Sequence, residues 1–232
     1  MRKPFELARE MLIMVARSLG DEILNEVAFV GGCTTSLLLT DDFSREFIRH
    51  TEDVDLIVDI MGQIEWHKFQ KMLILKGYSI SADEHVLCRM RLDGLTVDFM
   101  PHDEEILGFS NRWYSLALKT AVPYQLTDDL IIRVLTPPLF VATKLEAYLG
   151  RGKNDPMSSK DIEDIISIFD GRPEMVSEIN GADSEVREYI ADQMSNLLAD
   201  MNFEYAVQGS TRSNQDREDL LFKRIEEVAS GI

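Results

Sequence analysis

An apolar strand that ends in two glycines and runs into hydroxyl-bearing residues constrains this chain more than any other stretch. Phe29-Val30-Gly31-Gly32-Cys33-Thr34-Thr35-Ser36 leads, through a charged connection, to Thr51-Glu52-Asp53-Val54-Asp55-Leu56-Ile57-Val58. Glycine lets the backbone approach an anion closely. The N–H groups and dipole at a helix start favour an anion in the same place. The second piece is an apolar run interrupted by two acids. Residues i and i+2 of a strand share a face, so Asp53 and Asp55 project to one side and Val54 and Leu56 to the other. Two aligned carboxylates beside a phosphate cradle suit Mg²⁺, which takes oxygen ligands and substrate phosphates.

Periodicity places the remaining elements. Phe5–Leu19 has apolar residues at helical spacing, with Gly20 as a stop. Ala28–Val30 reads as a strand, Thr34–Leu39 as a helix, Asp41–Glu52 as a polar loop and Val54–Ile60 as a second strand. Glu65–Lys76 is a helix closed by Gly77. Tyr78–Ser81, Val86–Leu92 and Leu95–Met100 read as three more strands, and Asp93-Gly94 signals a two-residue hairpin between the last two. Trp113–Lys119 fits either strand or helix, and Leu130–Val134 reads as a strand. Thr136-Pro137-Pro138 opens a helix through Leu149, with Thr136 as N-cap. Lys160–Phe169, Pro173–Ile179, Glu185–Leu198 and Gln215–Ser230 complete the helices. Strands and helices mix up to Thr136, and helices dominate afterwards. The expectation is an α/β (α+β) chain: a mixed sheet flanked by helices over residues 1–136 and a helical half over residues 137–232.

A 45% apolar content is ample for a packed core, and the net charge is −17 over 232 residues. That charge argues against a broad nucleic-acid-binding surface, which clusters Lys and Arg. Cys33 and Cys88 lack metal-site spacing. The N-terminal segment has no uninterrupted apolar core of the secretory kind, and no apolar run approaches a bilayer span. A cytoplasmic protein with reduced thiols and no membrane partner is expected.

A third acid stands at Asp98, the one charge in the apolar strand Leu95-Thr96-Val97-Asp98-Phe99-Met100. Gly-Gly, then Asp-x-Asp on the next strand, then an acid on a later strand resembles the nucleotidyltransferase superfamily typified by DNA polymerase beta. Within it, Arg49-His50-Thr51-Glu52-Asp53-Val54-Asp55 and a downstream block resemble the abortive-infection nucleotidyltransferase toxins of bacterial toxin–antitoxin systems. That block runs from Thr136 through Lys144-Leu145 and Arg151-Gly152-Lys153 to Ser159-Lys160-Asp161-Ile162-Glu163-Asp164. The likeness covers roughly Val27 to Ile166. The interval from Gly32 to Asp53 exceeds that of the compact superfamily members, the insert falling at Asp41–His50.

The resemblance implies a nucleotidyltransferase fold and Mg²⁺-dependent transfer of a nucleoside monophosphate from an NTP to a hydroxyl, with Mn²⁺ as the alternative ion. Asp53, Asp55 and Asp98 would hold the metals, and Asp98 would help deprotonate the acceptor. Gly31, Gly32 and the hydroxyls of Thr34, Thr35 or Ser36 would bind the β- and γ-phosphates. The implied acceptor is tRNA or a protein hydroxyl, with a possible antitoxin partner. The same fold also serves antibiotic modification, with an aminoglycoside or lincosamide as acceptor, and the acidic charge favours a small cationic one. A catalytically idle nucleotide- or partner-binding module is the third reading.

Several residues carry two readings. The toxin likeness makes Lys144 a triphosphate ligand, whereas its apolar helix demands a counter-charge, such as Asp161 or Asp164. Asp161 serves the nucleotide site or simply the helix dipole. Arg151 and Lys153 steer phosphate or sit in a solvated loop. His50 and His102 line the site or lie on the surface, and His67 and His85 show no metal spacing. Arg49 contacts phosphate or pairs with Asp41 or Asp42. Trp113 and Tyr114 stack a base or pack in the core. Asp93, in the hairpin turn, competes with Asp98 as the third acid.

Overall fold

The computed structural model describes residues 3–80, 86–108, 110–151, 155–212 and 214–231. In chain order the elements are α1 (Pro4–Leu24), β1 (Val27–Val30), a 3-10 turn (Gly32–Thr34), α2 (Thr35–Leu38), α3 (Asp42–Arg45), β2 (Asp53–Val58), α4 (Gly62–Leu75), β3 (Arg89–Leu92), β4 (Leu95–Pro101), α5 (Glu104–Leu107), α6 (Tyr114–Thr120), β5 (Val122–Thr127) and β6 (Leu130–Val134). There follow α7 (Pro137–Gly150), a second 3-10 turn (Pro156–Ser158), α8 (Lys160–Gly171), α9 (Met175–Asn180), α10 (Ser184–Leu198), α11 (Met201–Ser210) and α12 (Gln215–Ala229). The class is mixed α and β, as expected. The chain packs as two compact units. The first comprises residues 1–34 and 50–136, and the second residues 35–49 and 137–232.

The first unit is built on a six-stranded sheet in the order β3-β4-β2-β1-β6-β5. β1 runs antiparallel to β2 and parallel to β6, while β2 runs parallel to β4. The β3–β4 and β5–β6 pairs are antiparallel hairpins. Asp93 and Gly94 both take positive φ (49° and 87°) between Leu92 and its partner Leu95. Two such residues make the turn whose twist matches the flanking strands. This fixes the register of β3 on β4. On one face, Val54 and Leu56 of β2 and Val97 and Phe99 of β4 are fully buried. Phe99 meets the rings of Phe69 on α4 and Tyr78 edge-on, each at 5.5 Å.

Some elements depart from expectation. Gly20 kinks α1 (φ 72°, ψ 165°), and the helix resumes to Leu24. The Tyr78–Ser81 strand is not formed over the described residues. The Tyr78 N–H caps α4 by donating to the Leu73 carbonyl, which leaves Ser79 a single bridge to Arg91; Ser81 and His85 lie outside the described residues. The next strand begins at Arg89, because Val86 to Arg89 closes a turn. Trp113–Lys119 resolves as helix α6, with Trp113 and Tyr114 buried. β5 escaped the pattern because Pro123 interrupts it; an edge strand tolerates a proline.

The second unit is helical. Ile162, Ile165, Ile166 and Phe169 give α8 a fully buried stripe at the spacing of one helix face. Ser159 caps that helix, its hydroxyl accepting from the Ile162 N–H at 3.3 Å. Segment 35–49, expected with the sheet half, packs in this unit instead. The N–H groups of Thr40 and Asp41 both donate to the Gly171 carbonyl at 3.0 Å. Arg172 donates to the Leu38 carbonyl at 2.6 Å. A Cβ on Gly171 would lie 2.9 Å from the Leu39 side chain, so the helix approaches the segment closely there. The stretch read as polar loop contains α3, capped by Asp41, whose carboxylate accepts from the Ser44 N–H at 2.9 Å.

Candidate active site

β2 and β4 bring the three candidate carboxylates to neighbouring strands. Asp55 and Asp98 are register partners in a parallel pair, and Asp53 sits opposite Thr96. Partners in register point to the same side, so all three acids share the face opposite Leu56 and Phe99. Asp98 is 6% exposed; Asp53 and Asp55 are half-buried. The Asp53 carboxylate accepts from the Thr51 hydroxyl at 2.6 Å. Asp93, the competing acid, lies in the hairpin turn at the far end of β4.

Gly31 fits against Asp55. It adopts φ +79°, and a Cβ there would collide with the Asp55 carboxylate, with its Cγ only 2.7 Å away. No other residue type satisfies both the backbone conformation and the close approach. Next in the chain, the 3-10 turn Gly32–Thr34 is buried. The Thr34 hydroxyl donates to the Gly31 carbonyl at 2.9 Å, and the Thr34 N–H does so at 3.1 Å. Thr34 therefore holds the turn closed. α2 is a single turn of four residues, so the macrodipole expected behind the cradle is small. Thr35 and Ser36 are buried in the second unit, and the Thr35 hydroxyl has no hydrogen-bond partner among the described residues.

One residue of this face was missed in the sequence. Arg89 on edge strand β3 is the register partner of Asp98. Its Nε and Nη2 donate to the two oxygens of Asp98, each at 2.8 Å. Arg91, two residues on, donates to the Thr96 hydroxyl at 2.6 Å. The Asp93-Gly94 turn carries the signal: with Leu92 opposite Leu95, counting back places Arg89 opposite Asp98. Beside this pair, burial pushes the Cys88 thiol up to about 12, and the Asp98 charge adds to it. That cysteine is an inert packing residue.

The donor set suits a hard divalent cation in chemistry: three carboxylates on one sheet face, with Asp55 seated in the space that a Cβ on Gly31 would fill. Among the described residues, however, no group of three or more His, Cys, Asp or Glu side chains is gathered to hold a metal ion. Both Asp98 oxygens face Arg89, and one Asp53 oxygen faces Thr51.

Lys144 and Asp161 belong to a different constellation, inside the second unit. Lys144 Nζ lies 2.7 Å from Asp164 and 3.2 Å from Asp161, all three side chains being under a tenth exposed. Arg49 pairs with both Asp164 oxygens, at 2.8 and 2.9 Å, and Arg151 reaches Asp161 at 3.0 Å. Burial pulls the Lys144 ammonium down, yet Asp164 and Asp161 outweigh it and hold its pKa raised. Burial likewise raises Asp164, but Lys144 and Arg49 overcome it and hold the carboxyl below its usual range. This is the bridge that a cation on an apolar helix requires. Arg49 pairs with neither Asp41 nor Asp42; those acids serve the α3 cap and Arg45. Lys153 lies outside the described residues.

Among the described residues, the histidines contribute no ligand set. His102 pairs with Asp59 at 2.8 Å. Asp59 is four residues beyond Asp55, about 13 Å at strand rise, which puts His102 toward the other end of the strands. His67 Nδ1 contacts the Gln63 carbonyl within its own helix. Comparison with protein-family models and with curated proteins finds no match.

Proposed function

We propose that this chain is a nucleotidyltransferase that moves a nucleoside monophosphate from an NTP to an acceptor hydroxyl and releases pyrophosphate. The observation that carries the reading is the in-register Asp55–Asp98 pair, with Asp53 on the same face and Gly31 pressed against Asp55. Phosphoryl chemistry of this kind depends on positioning and on charge placed where charge develops. Mg²⁺ or Mn²⁺ held by Asp53, Asp55 and Asp98 would supply neutralisation of the phosphate oxygens and polarisation at phosphorus. The chain's own residues orient the reactants. The Gly31-Gly32 turn receives the phosphates, and the carboxylate face aligns the acceptor. The acceptor oxygen forms its bond to the α-phosphorus as the bond to the β-phosphate oxygen breaks. Asp98 accepts the hydroxyl proton. Lys144 and Asp161 enter as structural residues, since their charges satisfy one another.

A toxin-like setting with a tRNA or protein acceptor is the favoured form. A small cationic acceptor such as an aminoglycoside is the second, supported by the net charge of −17. Incubation with each α-labelled NTP and Mg²⁺, separately with total tRNA and with aminoglycosides, separates the two. Asp55→Asn is the control: the change is nearly isosteric, so the fold persists without a cavity, while transfer is lost. Mg²⁺ with NTP stabilises the wild type by linkage and the variant much less. Equal turnover and equal ligand-induced stabilisation in both proteins would remove the proposal.

A further inference from the structure

We infer that Arg89 is a latch on the third carboxylate, competing with a divalent cation for Asp98 and so setting how tightly this face binds metal. The inference rests on the nucleotidyltransferase reading of the carboxylate face. Arg89 spans both oxygens of Asp98 in the two-point geometry that makes guanidinium–carboxylate pairs strong. The Asp98 side chain is 9% exposed and that of Arg89 29%, so water screens the pair incompletely. A cation taken up by Asp55 and Asp98 meets the guanidinium charge at the same carboxylate. It must displace Arg89 or tolerate a like charge within a few ångströms. Asp55 lies in register between Asp98 and Val30 across the sheet. Arg91 is tied to Thr96 on the same face, so the strand that carries the latch is itself anchored. A purely structural Arg89 would steady Asp98 for the metal, and its removal would weaken binding. A latch predicts the opposite sign.

The test is Mn²⁺ binding to the full chain, without nucleotide, followed by the electron paramagnetic resonance of free Mn²⁺ and by calorimetry. Arg89→Gln tightens binding, on the order of tenfold, because one full charge leaves the site. Arg89→Lys tightens it less, since an ammonium cannot span both oxygens; it also serves if the glutamine variant fails to fold. In an Asp98→Asn background, Arg89→Gln tightens binding much less, because the carboxylate that the guanidinium spans is gone. Unchanged or weaker Mn²⁺ binding in the Arg89 variants overturns the latch. If wild type nevertheless binds Mn²⁺ and Asp55→Asn abolishes it, the nucleotidyltransferase reading stands without the latch. No Mn²⁺ binding to wild type or any variant at millimolar ion overturns both.

Discussion

Gly31 is the residue on which sequence and chemistry meet most directly. Its φ of +79° lies in the left-handed region, and the Asp55 carboxylate occupies the space a Cβ would need. Two effects follow from Gly31→Ala. The backbone term costs about 1–2 kcal/mol for an L-residue, and the collision forces Asp55 off its place in the carboxylate row. Thermal melting should fall by that backbone amount or more. Transfer activity should fall further than the melting shift explains, because the displaced group is a proposed ligand. A variant that melts lower yet turns over like wild type would separate the glycine from the site. Arg89 teaches the complementary lesson. Its pairing with Asp98 follows from counting back through a two-residue hairpin, information fully present in the sequence. Arg49 offers no such count: its partner Asp164 is 115 residues away, and only packing brings them together.

At the scale of elements, the helix pair α7 and α8 is held by charges buried between apolar stripes. Lys144→Met removes the cation that Asp161 and Asp164 share. Taking one partner from a buried pair costs about 3–5 kcal/mol, because the remaining charges stay out of water. The variant should unfold at markedly lower urea, and Lys144→Met combined with Asp164→Leu should recover part of the loss. The same network fixes a pH profile. Asp164 has a lowered folded-state pKa, so its contribution is present above the unfolded value of about 3.9. It is lost as pH falls below that through the folded value. Lys144 has a raised folded-state pKa, so its contribution is complete below about 10.4. It fades as pH climbs through the folded value. Urea midpoints measured across pH should fall on both flanks, and Lys144→Met should flatten both. The charged residues of this network are visible in the sequence as a lysine on an apolar helix and acids on the next. Their mutual pairing depends on depth of burial, which no local pattern records. The strands followed from alternation and the hairpin from Asp-Gly. The failures, Tyr78–Ser81 and β5, lie where a helix cap or a proline overrides a periodic signal.

At the scale of the whole molecule, the units do not follow chain order. The break after Thr136 is marked by the change from mixed elements to helices, but the second unit also takes in residues 35–49. The sequence disguised this because the segment follows the glycine turn directly and reads as its connecting loop. Its removal has a definite cost. Residues 137–232 alone lose Arg49, one of the two cations that pair with Asp164, and keep Lys144. The Gly171 carbonyl loses the N–H donors of Thr40 and Asp41, and Arg172 loses its acceptor at Leu38. Leu39, fully buried, no longer covers Gly171. An unmet buried carbonyl costs about 1–3 kcal/mol, and the uncovered apolar surface and half-neutralised carboxylate add to it. Together these approach the whole stability of a domain this small, about 5–15 kcal/mol. A fragment of residues 137–232 should therefore melt without a sharp transition by circular dichroism and be cut rapidly by protease under native conditions. The same fragment with residues 35–49 joined to its N-terminus through a flexible glycine-serine linker should regain a cooperative transition. If the shorter fragment melts as sharply as the linked one, segment 35–49 is a passenger on the second unit and not part of its core.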